Sequence, residues 1–138
     1  MPAGYSRRPR LDKLGVKPGM RVAVLGLADA GFQRELRTRT PDVSEGRVRP
    51  GSDLVFLALE TPARLARLSA LQRAIRPDGA IWVLWPRGRK QLTENMVRDA
   101  ALERGLVDIK VAAFSETLSA LKLVIPVARR PSKDRRPA

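Results

Sequence analysis

Three carboxylates stand where a chain of alternating strands and helices usually does its chemistry. Asp29, Glu60 and Glu116 each follow an apolar, β-branched run, at or just past the carboxyl end of an expected strand. Doubly wound sheets place their ligands at that end. A carboxylate there can take a proton from an acceptor or hold a ligand's polar groups. Glu60 is the best single candidate for a catalytic base, because it directly follows the run Leu54–Leu59. The competing role for Glu60 is a solvated residue just ahead of a helix cap. For Asp29 it is the cap, or a first-turn acid, of the helix that follows. A second constellation sets Trp85 beside Arg87, Arg89 and Lys90. An aromatic next to three cations can stack a base and hold phosphates. The alternative is a lid on the core with a solvated basic loop beyond it.

What the chain lacks narrows the chemistry further. Its 138 residues include no histidine and no cysteine. Disulfides, thiolate metal sites, a cysteine nucleophile and the usual serine triad are therefore excluded. The carboxylates are scattered, so no metal site is expected. Lys and Arg number 27 against 14 Asp and Glu, a net charge of +13. More than half of that excess lies in residues 1–10, with Arg7, Arg8 and Arg10, and in residues 129–138. The latter segment holds Arg129, Arg130, Lys133, Arg135 and Arg136 against Asp134. Both segments are expected to be flexible basic tails. Such charge can hold a nucleic acid or an acidic protein surface by counterion release. An arginine-rich, alanine- and proline-rich composition equally fits biased codon usage. The apolar runs Leu54–Leu59 and Ala80–Trp85 fall far short of the ~20 residues that span a bilayer. No apolar core follows the N-terminal arginines, as a secretory signal requires. A cytoplasmic protein with no membrane partner is the expectation.

The elements that must position these residues read as one domain over residues 11–128, its 43% apolar share being enough for a packed core. A turn-forming lead-in over Lys13–Met20 precedes a strand at 21–26. A short helix is expected over Asp29–Arg39, and a brief strand around Arg47–Arg49. The next strand is Leu54–Leu59. Thr61 and Pro62 then open a helix whose buried stripe is Leu65, Leu68, Leu71 and Ile75. Arg76-Pro77-Asp78-Gly79 is a turn feeding the strand Ala80–Trp85. A helix from about Thr93 to Arg104, closed by Gly105, leads to two last strands, Leu106–Phe114 and about Ala120–Ala128. Continuous apolar runs mark strands buried on both faces, and the alternation argues for a doubly wound α/β sheet. The last two strands, joined through Ser115-Glu116-Thr117, should pair antiparallel at one edge. An edge strand such as Leu121–Val127 could pair with a partner. Trp82 and Trp85, three apart on a strand, should face opposite ways, with Trp82 in the core.

The order of elements resembles a known fold family. Val16-Lys17-Pro18-Gly19-Met20-Arg21-Val22-Ala23-Val24-Leu25-Gly26 looks like the lead-in and first strand of class I S-adenosylmethionine (SAM) dependent methyltransferases. Asp53–Leu57 is similar to that fold's fourth strand, and Ile75–Val83 to its turn and fifth strand. The final antiparallel pair matches a seventh strand inserted beside the sixth. The whole chain, with its strand ending in Trp-Pro and Leu118-Ser119-Ala120-Leu121-Lys122, resembles a small bacterial family of unknown function with a truncated version of this fold. The implied architecture is α/β, three-layer and Rossmann-like, mostly parallel with an antiparallel C-terminal edge pair.

In the methyltransferases the first strand usually ends in an acid and a Gly-x-Gly turn. Here the segment is Leu25-Gly26-Leu27-Ala28-Asp29-Ala30-Gly31-Phe32, with bulky Leu27 between its glycines, so it also fails the dinucleotide and P-loop fingerprints. The resemblance implies Gly26, Asp29, Gly31 and Glu60 as the cofactor-binding positions. For the second-strand acid that would hold ribose hydroxyls, Asp42 and Glu45 are the candidates. Thr40–Ser52 is short for a full second strand, helix and third strand. The cofactor half therefore reads as pared down. The favoured reading is a non-catalytic methyltransferase-like domain that binds a ligand or macromolecule, without a resident cofactor. The alternatives are a SAM-dependent methyltransferase with an atypical cofactor loop, and an RNA- or DNA-binding protein acting through its tails and the Arg87–Lys90 loop.

Overall fold

The computed structural model describes residues 9–130. The strands are β1 (Val22–Leu25), β2 (Val43–Glu45), β3 (Ser52–Ala58), β4 (Ile75–Pro86), β5 (Val107–Ala113) and β6 (Leu118–Val124). The helices are α1 (Arg10–Leu14), α2 (Ala30–Arg39), α3 (Leu68–Ala74) and α4 (Glu94–Glu103), with a 3-10 helix over Pro62–Arg67 leading into α3. One sheet runs in the order β2-β1-β3-β4-β6-β5. Its first four strands are parallel and β6 is antiparallel to both its neighbours. This is a Rossmann-like α/β sheet with an antiparallel C-terminal pair. No helix among the described residues is long and apolar enough to cross a membrane.

Strand parity builds two cores. Val22, Val24, Leu54, Phe56, Trp82 and Leu84 point to one face, where Leu11 and Leu14 of α1 and Phe32 and Leu36 of α2 cover them. Ala23, Leu25, Val55, Leu57, Val83 and Trp85 point to the other, under α3 and α4. Trp82 and Trp85 thus do face opposite ways. Trp82 is fully buried, and its indole Nε1 donates to the Leu14 carbonyl at 2.9 Å. Phe32 meets Phe56 and Phe114 edge-on, at 5.1 and 4.8 Å between centroids. The Arg10 guanidinium closes that cluster, 4.9 Å from the Phe32 centroid and 2.8 Å from Glu35.

Several elements differ from the sequence expectation. Arg10 starts α1, whose Leu11 and Leu14 are buried, instead of belonging to a tail; residues 1–8 and 131–138 lie outside the described residues. Arg129 lies in a short 3-10 turn, and the Arg130 side chain donates to the Ile125 carbonyl at 2.8 Å. The brief strand after Pro41 is Val43–Glu45, not Arg47–Arg49: Val43 pairs with Val22 of β1, while Arg49 turns back to the Asp42 carboxylate. The helix opened by Pro62 begins as 3-10, because Thr61 supplies no side-chain cap and the first turn tightens onto i to i+3 bonds. Ile75 starts β4 instead of ending the helical stripe, and Arg76–Gly79 lies within β4 where the register to β3 shifts. β6 is interior, between β4 and β5, so the edge at this end of the sheet is β5 and not Leu121–Val127.

Candidate functional site

The chain leaves β1 toward α2 on one face of the sheet and leaves β3 toward α3 on the other. Adjacent strands whose connections part in this way open a crevice at their carboxyl ends, the switch point where such sheets bind ligands. A cleft of about 450 Å³ lies there, lined by Gly26, Ala58, Glu60, Thr61 and Arg64. That volume lies within the roughly 300–1,000 Å³ typical of small-molecule sites.

Each lining residue is placed by its element. Gly26 follows β1 with φ +74, and a Cβ there would stand 2.7 Å from the Ala58 carbonyl oxygen. The cleft wall between β1 and β3 is therefore backbone against backbone. Leu59, next along from Ala58, is buried and its N–H donates to the Leu84 carbonyl at 2.8 Å. That bond anchors the chain just where Glu60 and Thr61 emerge into solvent. Arg64 follows in the first turn of the 3-10 helix. Among the described residues, the side chains of Glu60 and Arg64 have no hydrogen-bond or ion-pair partner. The cleft thus presents one free carboxylate and one free guanidinium.

The structure brings Gly26 and Glu60 together and leaves Asp29 and Gly31 apart from them. Asp29 caps α2, its Oδ1 accepting from the Phe32 N–H at 3.0 Å. Gly31 sits in the first turn of that helix, where an added Cβ would meet the same Oδ1 at 3.4 Å. Leu27 packs against the core. Glu116 lies in the exposed turn between β5 and β6. Arg87, Arg89 and Lys90 are exposed beyond β4, and Arg87 Nη2 donates to the Ser115 carbonyl at 3.0 Å. Trp85 does not join them as a stacking platform: it is 4% exposed, because its strand parity turns it into the core under α4.

The two candidates for the second-strand acid separate cleanly. Glu45 ends β2 opposite Val24, at the carboxyl end of the sheet, with its carboxylate 2.9 Å from Arg37. Asp42 precedes β2 at the amino end, where hydrogen bonds from Arg21 and then Arg49 hold its carboxyl below the usual range. Among the described residues no group of three or more carboxylates gathers as a metal site. Arg64 was not singled out by sequence. No sequence signal separates it from Arg67 in the same 3-10 helix; only the facing of the turn brings Arg64 to the cleft.

No family model matches the chain, and no curated protein matches it. Solved structures do. A SAM-dependent methyltransferase from Aquifex aeolicus aligns over 83% of this chain and 87% of its own, with TM-score 0.66 and 14% identity. A TehB-like SAM-dependent methyltransferase from Corynebacterium glutamicum aligns over 84% and 85%, with TM-score 0.59 and 13% identity. The fibrillarin pre-rRNA processing protein of Methanococcus jannaschii aligns over 80% and 68%, with TM-score 0.60 and 9% identity. At these identities the likeness is one of architecture, and the chain has a methyltransferase-like fold.

Proposed function

We propose that this protein is a methyltransferase-like binding domain whose cleft between the ends of β1 and β3 takes SAM. The observation that carries the reading is the pair of unpartnered charges, Glu60 and Arg64, in a cleft at the switch point. SAM is itself a zwitterion with an added sulfonium cation. Arg64 is suited to its carboxylate through a forked pair of hydrogen bonds. Glu60 is suited to its ammonium or sulfonium, and Glu45 at the tip of β2 would accept from ribose hydroxyls on giving up its pair with Arg37. Gly26 supports the fit: with no Cβ, its backbone lines the wall close against the Ala58 carbonyl.

Methyl transfer is the second reading, and Glu60 is what favours it. When bound, the sulfonium supplies an activated methyl group. Glu60, at the cleft and free of other partners, is placed to accept the proton an acceptor group gives up. The rest of the chain's contribution is positioning.

The test is a thermal-shift titration with SAM, followed by equilibrium dialysis. A ligand at 100 times its dissociation constant stabilises by about 2.7 kcal/mol, several degrees for a domain of this size. Arg64→Ala should weaken SAM binding by tenfold or more without lowering the melting temperature of the free protein. Absence of any shift at millimolar SAM overturns the proposal. Binding retained in Glu60→Gln, with loss of methyl transfer to an acceptor, assigns Glu60 as the base.

A further inference from the structure

The antiparallel end of the sheet carries a basic cluster that the cleft does not use. Lys122 of β6 stands directly opposite Lys110 of β5 and, on its other side, opposite Trp82 of β4. The Lys122 ammonium lies 5.7 Å from the Trp82 ring centroid, and a Cβ on Gly15 would meet it at 3.3 Å. The Lys110 ammonium donates to the Lys13 carbonyl at 3.0 Å. Lys17, just past Gly15, is near enough to repel the Lys122 charge. Three of the chain's six lysines therefore meet where the segment after α1 crosses the antiparallel pair. The segment Leu118–Lys122, conspicuous in the sequence, is what delivers the central one.

Among the described residues none of these lysines has an ion-pair partner. Like charges directly opposite on an antiparallel pair destabilise it. Lys122 is also half-buried, so its ammonium gives up hydration as well. The Trp82 ring and the Lys13 carbonyl offset part of that cost, and neither carries a negative charge. An arrangement of this kind calls for an anion from outside the chain.

We propose that Lys17, Lys110 and Lys122 form a binding site for a phosphate group, free or carried in a nucleic-acid backbone. Lysine ammoniums bind phosphate as compact point charges. Three of them, arriving from a loop and two strands, suit an oxyanion with several acceptor oxygens better than a planar carboxylate. Trp82 is fully buried beneath Lys122, so no base stacks there and recognition stops at the phosphate. The site sits on the face of β5 and β6, whereas the cleft lies at the ends of β1 and β3, so each can fail without the other.

The experiment uses the full chain in phosphate-free buffer. Inorganic phosphate and pyrophosphate are titrated by calorimetry, and a fluorescein-labelled 12-nucleotide RNA by anisotropy at 50 and 200 mM salt. Lys122→Met keeps the stem over Trp82 and removes the charge; Lys110→Ala removes its neighbour; Lys122→Arg keeps the charge. The first two should each weaken binding about tenfold, and Lys122→Arg should retain it. Removing one phosphate-contacting lysine should also lower the salt slope by about 1. Changing Arg87, Arg89 and Lys90 together to alanine should leave phosphate affinity within twofold. Phosphate binding without RNA binding assigns the site to a free phosphate; RNA binding that falls with the lysine variants assigns it to a backbone. No binding of either probe, or binding unaffected by Lys122→Met and Lys110→Ala, overturns the proposal. Because Lys122→Met relieves a buried like charge, it should fold at least as stably as the native chain, so a loss of binding cannot be read as unfolding.

Discussion

Gly26→Ala tests the geometry of the cleft wall directly. Gly26 has φ +74, and its missing Cβ would lie 2.7 Å from the Ala58 carbonyl oxygen. A non-glycine residue in that left-handed region costs about 1–2 kcal/mol. Alanine also restricts the unfolded chain, which offsets about 0.4–1 kcal/mol. The contact comes on top: real Cβ atoms essentially never approach within 3.0 Å, so β3 must shift at Ala58. Forcing packed atoms apart in this way costs about 1–3 kcal/mol. The net loss should be about 2–4 kcal/mol, or roughly 6–14 °C in melting temperature. Gly88→Ala provides the control, since Gly88 has φ +77 and nothing within 4 Å of an added Cβ. It should lose only the backbone part, about 1 kcal/mol. Equilibrium urea unfolding measures both, with the slope checked for two-state behaviour. Gly26→Ala should also abolish SAM binding at temperatures where the variant is still folded. If the two variants are equally stable, the close approach of β1 to β3 is not real and the cleft wall described above is wrong.

Trp82→Phe should cost about 2–4 kcal/mol, because it strands the buried Leu14 carbonyl and leaves a void; Trp85→Phe should cost less, and a reversed order in urea unfolding would refute the role given to the Trp82 hydrogen bond. Burial first, then Lys110 and Lys17, push the Lys122 ammonium below the ordinary lysine value of 10.5. The unfolded chain then holds more protons than the folded one between the lowered value and 10.5, so stability should rise with pH through that window. Lys122→Met should flatten the rise; an unchanged pH profile of the melting temperature would refute the assignment. At the cleft, SAM and its demethylated product differ by one positive charge, and exposed Glu60 should favour SAM by about three- to tenfold. Competition dialysis in which Glu60→Gln keeps the same preference would remove Glu60 from the site.

What the sequence revealed and what it hid divide along physical lines. The long apolar runs of β3 and β4 revealed strands buried on both faces, and the spacing of Trp82 and Trp85 revealed their opposite orientations. Asp29 was legible as a helix cap because a cap is a local interaction, and it accepts the expected backbone N–H, whereas Thr61 before Pro62 opens a 3-10 turn without a side-chain cap bond. β2 was misplaced because Val43–Glu45 has three residues between Pro41 and Gly46, and only its pairing with β1 makes it a strand. α1 was missed because five residues cannot form a helix unaided; burial of Leu11 and Leu14 holds it. Of the cleft, Gly26 and Glu60 could be named from strand ends, while Arg64 required knowing which way the 3-10 turn faces. The lysine cluster was invisible, because Lys17, Lys110 and Lys122 become neighbours only through sheet register.

The distribution of paired charge ties these sites together. Among the described residues the ion pairs join arginine to carboxylate, as in Arg10 with Glu35, Arg39 with Asp12, Arg21 and Arg49 with Asp42, and Arg98 with Glu94 and Asp108. No described lysine takes part in one. The planar guanidinium fork suits fixed structural pairs, and at the amino end of the sheet Arg21, just before β1, donates from its guanidinium to Asp42 and from its backbone N–H to Asp53 of β3. With 14 acids for 27 cations, carboxylates drawn into such pairs cannot neutralise the rest. The described cations left over include Arg34, Arg47, Arg67 and Arg73 as well as three groups at distinct features of the fold. Arg64 stands at the cleft, Arg89 and Lys90 on the loop after β4, and the lysines on the antiparallel face. Glu60 is one of the few acids kept out of the structural network, and it faces Arg64's cleft. A basic composition alone would leave uncompensated charge anywhere on the surface; what singles out Arg64 and the lysines is that a cleft or a convergence of strands surrounds them, so an outside anion meets more than one group there.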